Sequence, residues 1–203
     1  TVMVLVLFLL VIMGMDIAYA IGLAALSFVA LTHLGDRPVN WVLFPQTMTA
    51  GVDSFALLAI PMFIFAGTLM TKCGVTTRLI SFASALVGHK RGGLANVSIT
   101  SNFFMSGISG SAIADAAAIG SILVPEMKRR GYPVPYACGV IAAGATMGPV
   151  IPPSILFILL GSIVYLSVGE LFVAGVLPGF VMFLAMLATS WWLARRLDLP
   201  RES

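Results

Sequence analysis

Long uncharged stretches dominate this sequence and set the class of fold that it can adopt. From Thr1 to Leu34 the only ionisable side chains are Asp16 and His33, and residues 131–169 contain no charged side chain. A helix needs about 20 apolar residues to cross a bilayer. In lipid, a helix also satisfies its own backbone polar groups. The sequence therefore predicts an all-α integral membrane protein, a polytopic helical bundle in the lipid bilayer.

The composition excludes several other classes. Of the 203 residues, 60% are apolar and 9% are charged, whereas soluble domains contain about 25% charged residues. Disordered chains are richer in charge. Two cysteines, Cys73 and Cys138, exclude a disulfide scaffold and a four-thiolate metal site. The basic residues are scattered between apolar runs, so no nucleic-acid partner is predicted. The chain begins at Thr1, so we expect it to be a piece of a longer chain.

Charged residues and prolines divide the chain into segments of a single membrane domain, residues 1–203. In the segment 75–91, apolar residues recur at helical spacing opposite polar ones, which is typical of an interfacial amphipathic helix. The first apolar run is either one long tilted span or two short spans broken at Gly14. The predicted segments are first span(s) 1–32, interfacial loop 33–54, span 55–71, interfacial amphipathic helix 75–91, re-entrant hairpin 92–127, broken span 132–167 and span 171–194.

The hairpin is predicted from charge and length together. Basic groups at 72–91, 128–130 and 195–201 should all face the cytoplasm. Residues 92–127 must then start and end on the same side. Their two halves, of roughly 16 and 12 residues around residues 106–111, are each too short to cross the hydrocarbon core. We therefore expect a re-entrant hairpin that is open to the cytoplasm and has its tip near mid-membrane.

The hairpin tip is rich in residues that bind ions. Unpaired backbone groups inside a bilayer must be buried in protein, line a wet cavity or contact an ion. Glycines permit open backbone conformations, and serines supply hydroxyl oxygens, here Ser106, Gly107, Ser109, Gly110 and Ser111. Asp115 lies in the first turn of the returning half, where a carboxylate suits a helix N-terminus. Both a structural capping role and a direct ionic role remain open for Asp115.

A second motif breaks the uncharged stretch 131–169. Pro149, Pro152 and Pro153 lack amide donors and clash with the preceding turn, so one continuous helix cannot run through them. We predict two half-helices joined by an unwound segment, with free carbonyls at Gly148 and Ile151. Broken helices of this kind hold sodium and substrate in secondary transporters. Sodium is a hard cation that prefers oxygen ligands.

These motifs resemble a known family. Residues 104–120, FMSGISGSAIADAAAIG, and residues 148–155, GPVIPPSI, are similar to the large membrane subunit of tripartite ATP-independent periplasmic (TRAP) transporters, the DctM family. LLAIPMFIFAGTLM at 57–70, GHKRGGLA at 88–95 and LFVAGVLPG at 171–179 support the resemblance. It covers nearly the whole chain, but it matches only the first of the two inverted repeats of that subunit.

The resemblance implies a sodium-driven elevator transporter in the bacterial inner membrane that imports organic acids of the C4-dicarboxylate or sialic-acid type. The implied partners are a periplasmic substrate-binding protein, a small four-helix membrane subunit and the C-terminal repeat of the same subunit. The implied coupling ion is Na⁺, with no other cofactor or metal and no enzymatic activity. The implied sodium ligands are Ser109, Ser111, Gly148, Ile151 and Pro153. The substrate would lie beside them, around the tip residues Ser106, Gly107, Gly110 and Asp115 and the break residues Pro152 and Ser154.

One position departs from the family's pattern, and three alternative functions remain open. The family usually has a proline after the glycine of its first helix, whereas this chain has Gly14-Met15-Asp16, which leaves Asp16 unexplained. A different sodium-coupled carrier with similar hairpins is one alternative, and a scaffolding subunit is another. The third is an intramembrane serine protease, because residues 107–110 read G-x-S-G. It is disfavoured because neither His33 nor His89 lies inside a span to act as the base.

Overall fold

The computed structural model describes residues 2–33, 42–53, 55–89, 92–197 and 199–200, and these residues form ten helices and no strand. The all-α expectation is therefore confirmed. The helices are α1 Val2–Ile12, α2 Ile17–His33, α3 Leu43–Val52, α4 Phe55–Lys72, α5 Val75–Val87, α6 Gly93–Ser109, α7 Ala112–Arg129, α8 Val134–Ala145, α9 Ile155–Val164 and α10 Val168–Arg196.

The chain divides into two compact units, Thr1–Asp53 and Ser54–Ser203. In the first unit, α1 and α2 pack against each other and are separated by a break that contains Gly14, whose φ is +83°. Of the two interpretations of the first apolar run, the structure has the broken one. Asp16 is exposed and directly precedes α2.

The predicted interfacial loop, 33–54, is wrong in part. Residues 43–52 form helix α3, and Pro45 falls in its first turn, where a helix needs no backbone N–H donor. Residues 34–41 and 54 lie outside the described residues.

Helix α6 is the centre of the second unit. It packs against α4, α5, α7, α8 and α10, and every residue from Gly93 to Asn102 is buried. A core of small and aliphatic side chains surrounds it: Ala83, Leu94, Ala95, Val97, Met105, Ile119, Leu123, Met127, Tyr132, Ala137, Ile141, Ala194 and Leu199. Seven polar side chains on α6 are also buried, namely Asn96, Ser98, Thr100, Ser101, Asn102, Ser106 and Ser109.

Helix α5 runs antiparallel to α6. The Thr76 hydroxyl near its start donates to the sulfur of Met105 at 3.9 Å, and the rings of Phe82 and Phe104 meet edge to face at 5.5 Å. The helix expected in this segment is therefore present. Its position in the membrane interface stays a prediction.

Helices α6 and α7 form the hairpin expected over 92–127, but the predicted extent of its non-helical tip is wrong. Helix α6 continues through Ser109, and α7 begins at Ala112, so only Gly110 and Ser111 lie between the helices. One glycine at φ +60° and one serine cap are enough to end the first helix and start the second. The halves have 17 and 18 residues. The re-entrant placement of the hairpin stays a prediction.

The break expected within 132–167 separates α8 from α9, with residues 146–154 outside either helix. Helix α10 follows and includes the predicted span 171–194. Among the described residues, α10 is the only single helix long and apolar enough to cross a membrane by length and composition. Arg195 and Arg196 lie in its last turn, where cations complement the helix dipole.

Candidate ion-binding site at the hairpin tip

The reversal between α6 and α7 is set by two adjacent residues. Gly110 adopts the left-handed conformation, and its backbone N–H donates to the Ser106 carbonyl at 3.2 Å. Ser111 is extended, and its hydroxyl accepts a hydrogen bond from the Ala114 backbone N–H at 3.4 Å. Ser111 is thus the N-cap of α7, and it satisfies one of the free amides of the first turn.

A buried carboxylate ties the two helices together behind this tip. Asp115 is 0% exposed. Its Oδ2 accepts a hydrogen bond from the Ser106 hydroxyl at 3.2 Å, and its Oδ1 accepts one from the Ser109 hydroxyl. The Ser109 hydroxyl also accepts from the Ser111 backbone N–H at 3.1 Å. Since Ser111 performs the capping, the carboxylate instead links α7 to the end of α6.

The charge of Asp115 is unusual for a buried position. Among the described residues, no basic side chain forms an ion pair with it; the ion pairs there join Glu126 to Arg129 and Arg130. Removing a carboxylate from water without a cationic partner costs several kcal/mol, on the order of the penalty for other buried ions. The two hydroxyl donors, Ser106 and Ser109, offset only part of that cost.

The unwound segment between α8 and α9 supplies unpaired carbonyls. The backbone hydrogen bonds of the described turns and loops do not end on the carbonyls of Gly148, Ile151 or Pro153. A cis peptide bond joins Pro152 to Pro153. Ser154 closes the segment, because its hydroxyl donates to the Pro149 carbonyl at 2.6 Å and accepts from the Phe157 backbone N–H at 3.4 Å.

The hairpin tip lies directly against this unwound segment. A Cβ added to Gly110 would lie 2.5 Å from the Pro153 carbonyl oxygen. A Cβ added to Gly148 would lie 2.9 Å from the Ala112 backbone nitrogen and 3.2 Å from Asp115 Oδ2. Only glycine permits these approaches, which place the Pro153 carbonyl beside the hairpin tip and the Gly148 backbone beside Asp115.

The predicted site residues take different positions around this contact. Gly107 faces the Pro152 carbonyl, and a Cβ added to Gly107 would lie 3.8 Å from that oxygen, while Ser106 lies one turn inside α6. The Ile151 side chain packs away from the tip in a cluster with Ile99 and Met147. Ile151 can therefore contribute to a site only through its backbone.

Two glycines that pack against the site were not predicted from the sequence. A Cβ on Gly67 of α4 would lie 3.5 Å from Ser109 Cα, and a Cβ on Gly175 of α10 would lie 2.6 Å from the Val150 carbonyl oxygen. Gly175 and Gly179 occupy one face of α10, and a Cβ on Gly179 would lie 2.7 Å from the Ile151 side-chain Cγ1. Their four-residue spacing is a signal for close helix packing in membranes.

A cavity of about 540 Å³ opens beside the tip, between α4, α7 and α9. Polar side chains in its lining are Thr68, Thr71, Lys72, Ser109 and Ser111. Hydroxyl, carbonyl and carboxylate oxygens are ligands for hard cations. The described residues include no group of three or more His, Cys, Asp or Glu side chains that could hold a metal ion.

Comparison with known proteins identifies the family. The model of the family described as "Tripartite ATP-independent periplasmic transporter, DctM component" matches residues 4–203. The chain is 42% identical to the 2,3-diketo-L-gulonate TRAP transporter large permease protein YiaN of Escherichia coli, over 93% of this chain and 44% of that protein. It is 36% identical to the sialic acid TRAP transporter large permease protein SiaM of Vibrio cholerae, over 94% of this chain and 44% of that protein.

A third relative is the C4-dicarboxylate TRAP transporter large permease protein DctM of Rhodobacter capsulatus, 36% identical over 93% of this chain and 45% of that protein. The chain thus spans less than half the length of these curated relatives. They are integral membrane transporters rather than enzymes, which decides against the protease alternative. The chain belongs to the DctM family, the large permease component of TRAP transporters.

Proposed function

We propose that this chain forms the first repeat of a sodium-coupled permease that imports organic acids across the bacterial inner membrane. The observation that carries the proposal is the contact between the hairpin tip and the unwound segment around Asp115. It gathers a buried carboxylate, two serine hydroxyls and free carbonyls. The sodium ion would bind between Ser109 and Ser111 on one side and the carbonyls of Gly148, Ile151 and Pro153 on the other.

The bound cation would prepare the site for an anionic substrate. A sodium ion at the tip compensates the charge of Asp115 and adds to the positive end of the α7 dipole. A substrate carboxylate beside the tip then meets a field that is less negative than in the sodium-free site. Sodium and substrate would therefore favour each other's binding, and this reciprocity is what coupled transport requires. We assign the movement of the loaded site to an elevator mechanism.

The substrate class follows from the relatives. Their names specify 2,3-diketo-L-gulonate, sialic acid, isethionate and C4-dicarboxylates, all of which are organic anions. We propose an organic acid for this protein as well. The proposed partners are a periplasmic binding protein that delivers the acid, a small four-helix membrane subunit, and a second, inverted repeat of the same subunit.

The test uses the complete transporter in proteoliposomes, with the dependence of uptake on sodium concentration as the readout. Ser109→Ala and Ser111→Ala each remove a hydroxyl ligand, and we expect the half-saturating sodium concentration to rise about tenfold, equivalent to about 1.4 kcal/mol. Ser121→Ala is the matched control, because Ser121 lies on α7 but is exposed and its hydroxyl donates to the Ala118 carbonyl. Unchanged sodium activation in both tip variants would refute the site.

A second arm separates this proposal from the alternative of another sodium-coupled carrier. Uptake should require the soluble binding protein to be loaded with substrate on the periplasmic side. Equal uptake of free substrate without the binding protein would contradict the TRAP mechanism while leaving the sodium site intact.

A further inference from the structure

A second cavity lies at the basic end of α10, far from the hairpin tip. Its volume is about 400 Å³, and Val87, Asn96, Leu187, Ala188 and Trp191 line it. Asn96 precedes Ser109 on the same helix by about 20 Å at the helical rise per residue. The cavity is therefore separate from the candidate sodium site.

The wall of this cavity is held in place by close packing. The Gly92 backbone N–H donates to the Pro200 carbonyl at 3.3 Å. A Cβ on Gly92 would lie 2.6 Å from the Ala194 Cβ, and both Ala194 and Leu199 are buried. The start of α6 is thus fixed against the end of α10.

A guanidinium group stacks on the tryptophan that lines this cavity. Arg195 lies 3.5 Å above the ring of Trp191, which lines the cavity, and Arg196 lies 4.4 Å above Trp192, which does not. No carboxylate of the described residues forms an ion pair with either arginine. A stacked guanidinium still presents N–H donors at its edge. Tryptophan and arginine together are typical of the membrane interface, so this stacked pair fits an anionic lipid headgroup.

A buried amide lies inside the cavity lining. Asn96 is 4% exposed, and its Oδ1 accepts no hydrogen bond from the described residues. An unpaired buried acceptor is destabilising, because it has lost its hydrogen bonds to water without gaining another partner. A hydroxyl group can both donate and accept. A ligand hydroxyl could therefore pair with the Asn96 amide, whichever of the amide oxygen and nitrogen faces the cavity.

We propose that this cavity binds a phosphatidylglycerol molecule. The phosphate pairs with Arg195, a hydroxyl of the glycerol headgroup contacts Asn96, and an acyl chain lies along Val87 and Leu187. Phosphatidylglycerol supplies both groups that the cavity requires, a negative charge and a hydroxyl. Basic pockets between membrane helices bind anionic lipids by the same chemistry.

The experiment compares Arg195→Gln with Arg196→Gln in the complete large subunit. The delipidated protein is titrated in detergent with dioleoyl phosphatidylglycerol, and the bound lipid is counted by native mass spectrometry. We expect Arg195→Gln to weaken the first binding step about tenfold and Arg196→Gln to change it by less than about twofold. Both arginines are exposed and stacked on a tryptophan, so the pair controls for charge and for folding.

Two further lipids test the headgroup. Wild-type protein should bind phosphatidylglycerol more tightly than phosphatidic acid, which has the phosphate but no glycerol headgroup. It should also bind phosphatidylglycerol more tightly than phosphatidylcholine, which has neither a net negative charge nor a headgroup hydroxyl. Asn96→Leu should abolish the preference over phosphatidic acid. The proposal is overturned by equal losses in the two arginine variants, by phosphatidylcholine that binds as tightly, or by a complete subunit that binds no lipid in this cavity. A preference for phosphatidylglycerol that survives in Asn96→Leu overturns the hydroxyl contact.

Discussion

Gly110→Ala tests the contact between the hairpin tip and the unwound segment most directly. Gly110 has φ +60°, and an added Cβ would lie 2.5 Å from the Pro153 carbonyl oxygen. Gly131→Ala is the matched control. Gly131 also has a positive φ, +84°, but an added Cβ would meet nothing within 4 Å. Both variants carry the backbone strain, and only Gly110→Ala carries the steric conflict.

The two contributions have separate magnitudes. An alanine in the left-handed region costs about 1–2 kcal/mol, and both variants lose this amount. At Gly110 the obstructing atom is a backbone carbonyl oxygen, so the tip and the segment must separate by at least about 0.5 Å to reach a tolerable contact. Overpacking of this kind costs about 1–3 kcal/mol more. The same displacement pulls the serine hydroxyls away from the carbonyl ligands.

Two measurements on the complete subunit distinguish the contributions. The thermal unfolding midpoint in detergent should fall modestly for Gly131→Ala and by about twice as much for Gly110→Ala. The sodium concentration that half-activates uptake should rise about tenfold or more for Gly110→Ala and stay unchanged for Gly131→Ala. Equal unfolding midpoints and equal sodium activation in the two variants would refute the inference that the tip and the unwound segment act together.

Two other substitutions probe the same site from different sides. Asp115→Asn keeps the shape of the side chain and an acceptor for a serine hydroxyl but removes the charge, so uptake should lose its sodium activation. The unfolding midpoint measured without sodium should rise, because the buried charge is gone. Retained sodium activation would exclude an electrostatic role for Asp115. Gly175→Ala should lower the unfolding midpoint by the equivalent of about 1–3 kcal/mol, because its Cβ would lie 2.6 Å from the Val150 carbonyl oxygen. Gly139→Ala, also inside a helix but with nothing within 4 Å, should raise it by up to about 1 kcal/mol, and a loss in both variants would contradict the packing argument.

The breaks in the helices could be located from sequence because their causes are local. A glycine followed by a serine cap ends one helix and begins the next at Gly110 and Ser111, and three prolines prevent a helix through residues 149–153. The extent of α6 could not be read in the same way. Ser106 and Ser109 have a weak preference for helix, yet both hydroxyls donate to the Asp115 carboxylate, and the Ser109 hydroxyl also accepts from the Ser111 backbone N–H. A tertiary partner thus removes the competition that the local sequence suggests.

The glycines that support the site contact residues that are distant in the sequence. Gly67 lies on α4 and packs against Ser109, whereas Gly175 lies on α10 and packs against the Val150 carbonyl. Glycine is frequent in membrane helices for several reasons, so neither position stands out by composition. The helix Leu43–Val52 was not predicted, because the prolines and polar residues around it are typical of a loop. Pro45 lies in the first turn of this helix, where proline is tolerated.

The hairpin tip and the unwound segment each bury polar groups whose cost the other element could help to offset. Within the described part of the chain, the unwound segment leaves carbonyls without donors, and the hairpin leaves a carboxylate without a cationic partner. In a lipid environment each would cost several kcal/mol alone. Because the Pro153 carbonyl and the Asp115 carboxylate are both electron-rich acceptors, bringing the two elements together adds repulsion unless a positive charge lies between. If sodium binds there as proposed, its charge would reverse the sign of that interaction and would stabilise the close approach of Gly110 to the Pro153 carbonyl. At a hundred times its dissociation constant, such a ligand contributes about 2.7 kcal/mol, which is comparable to the penalty it offsets.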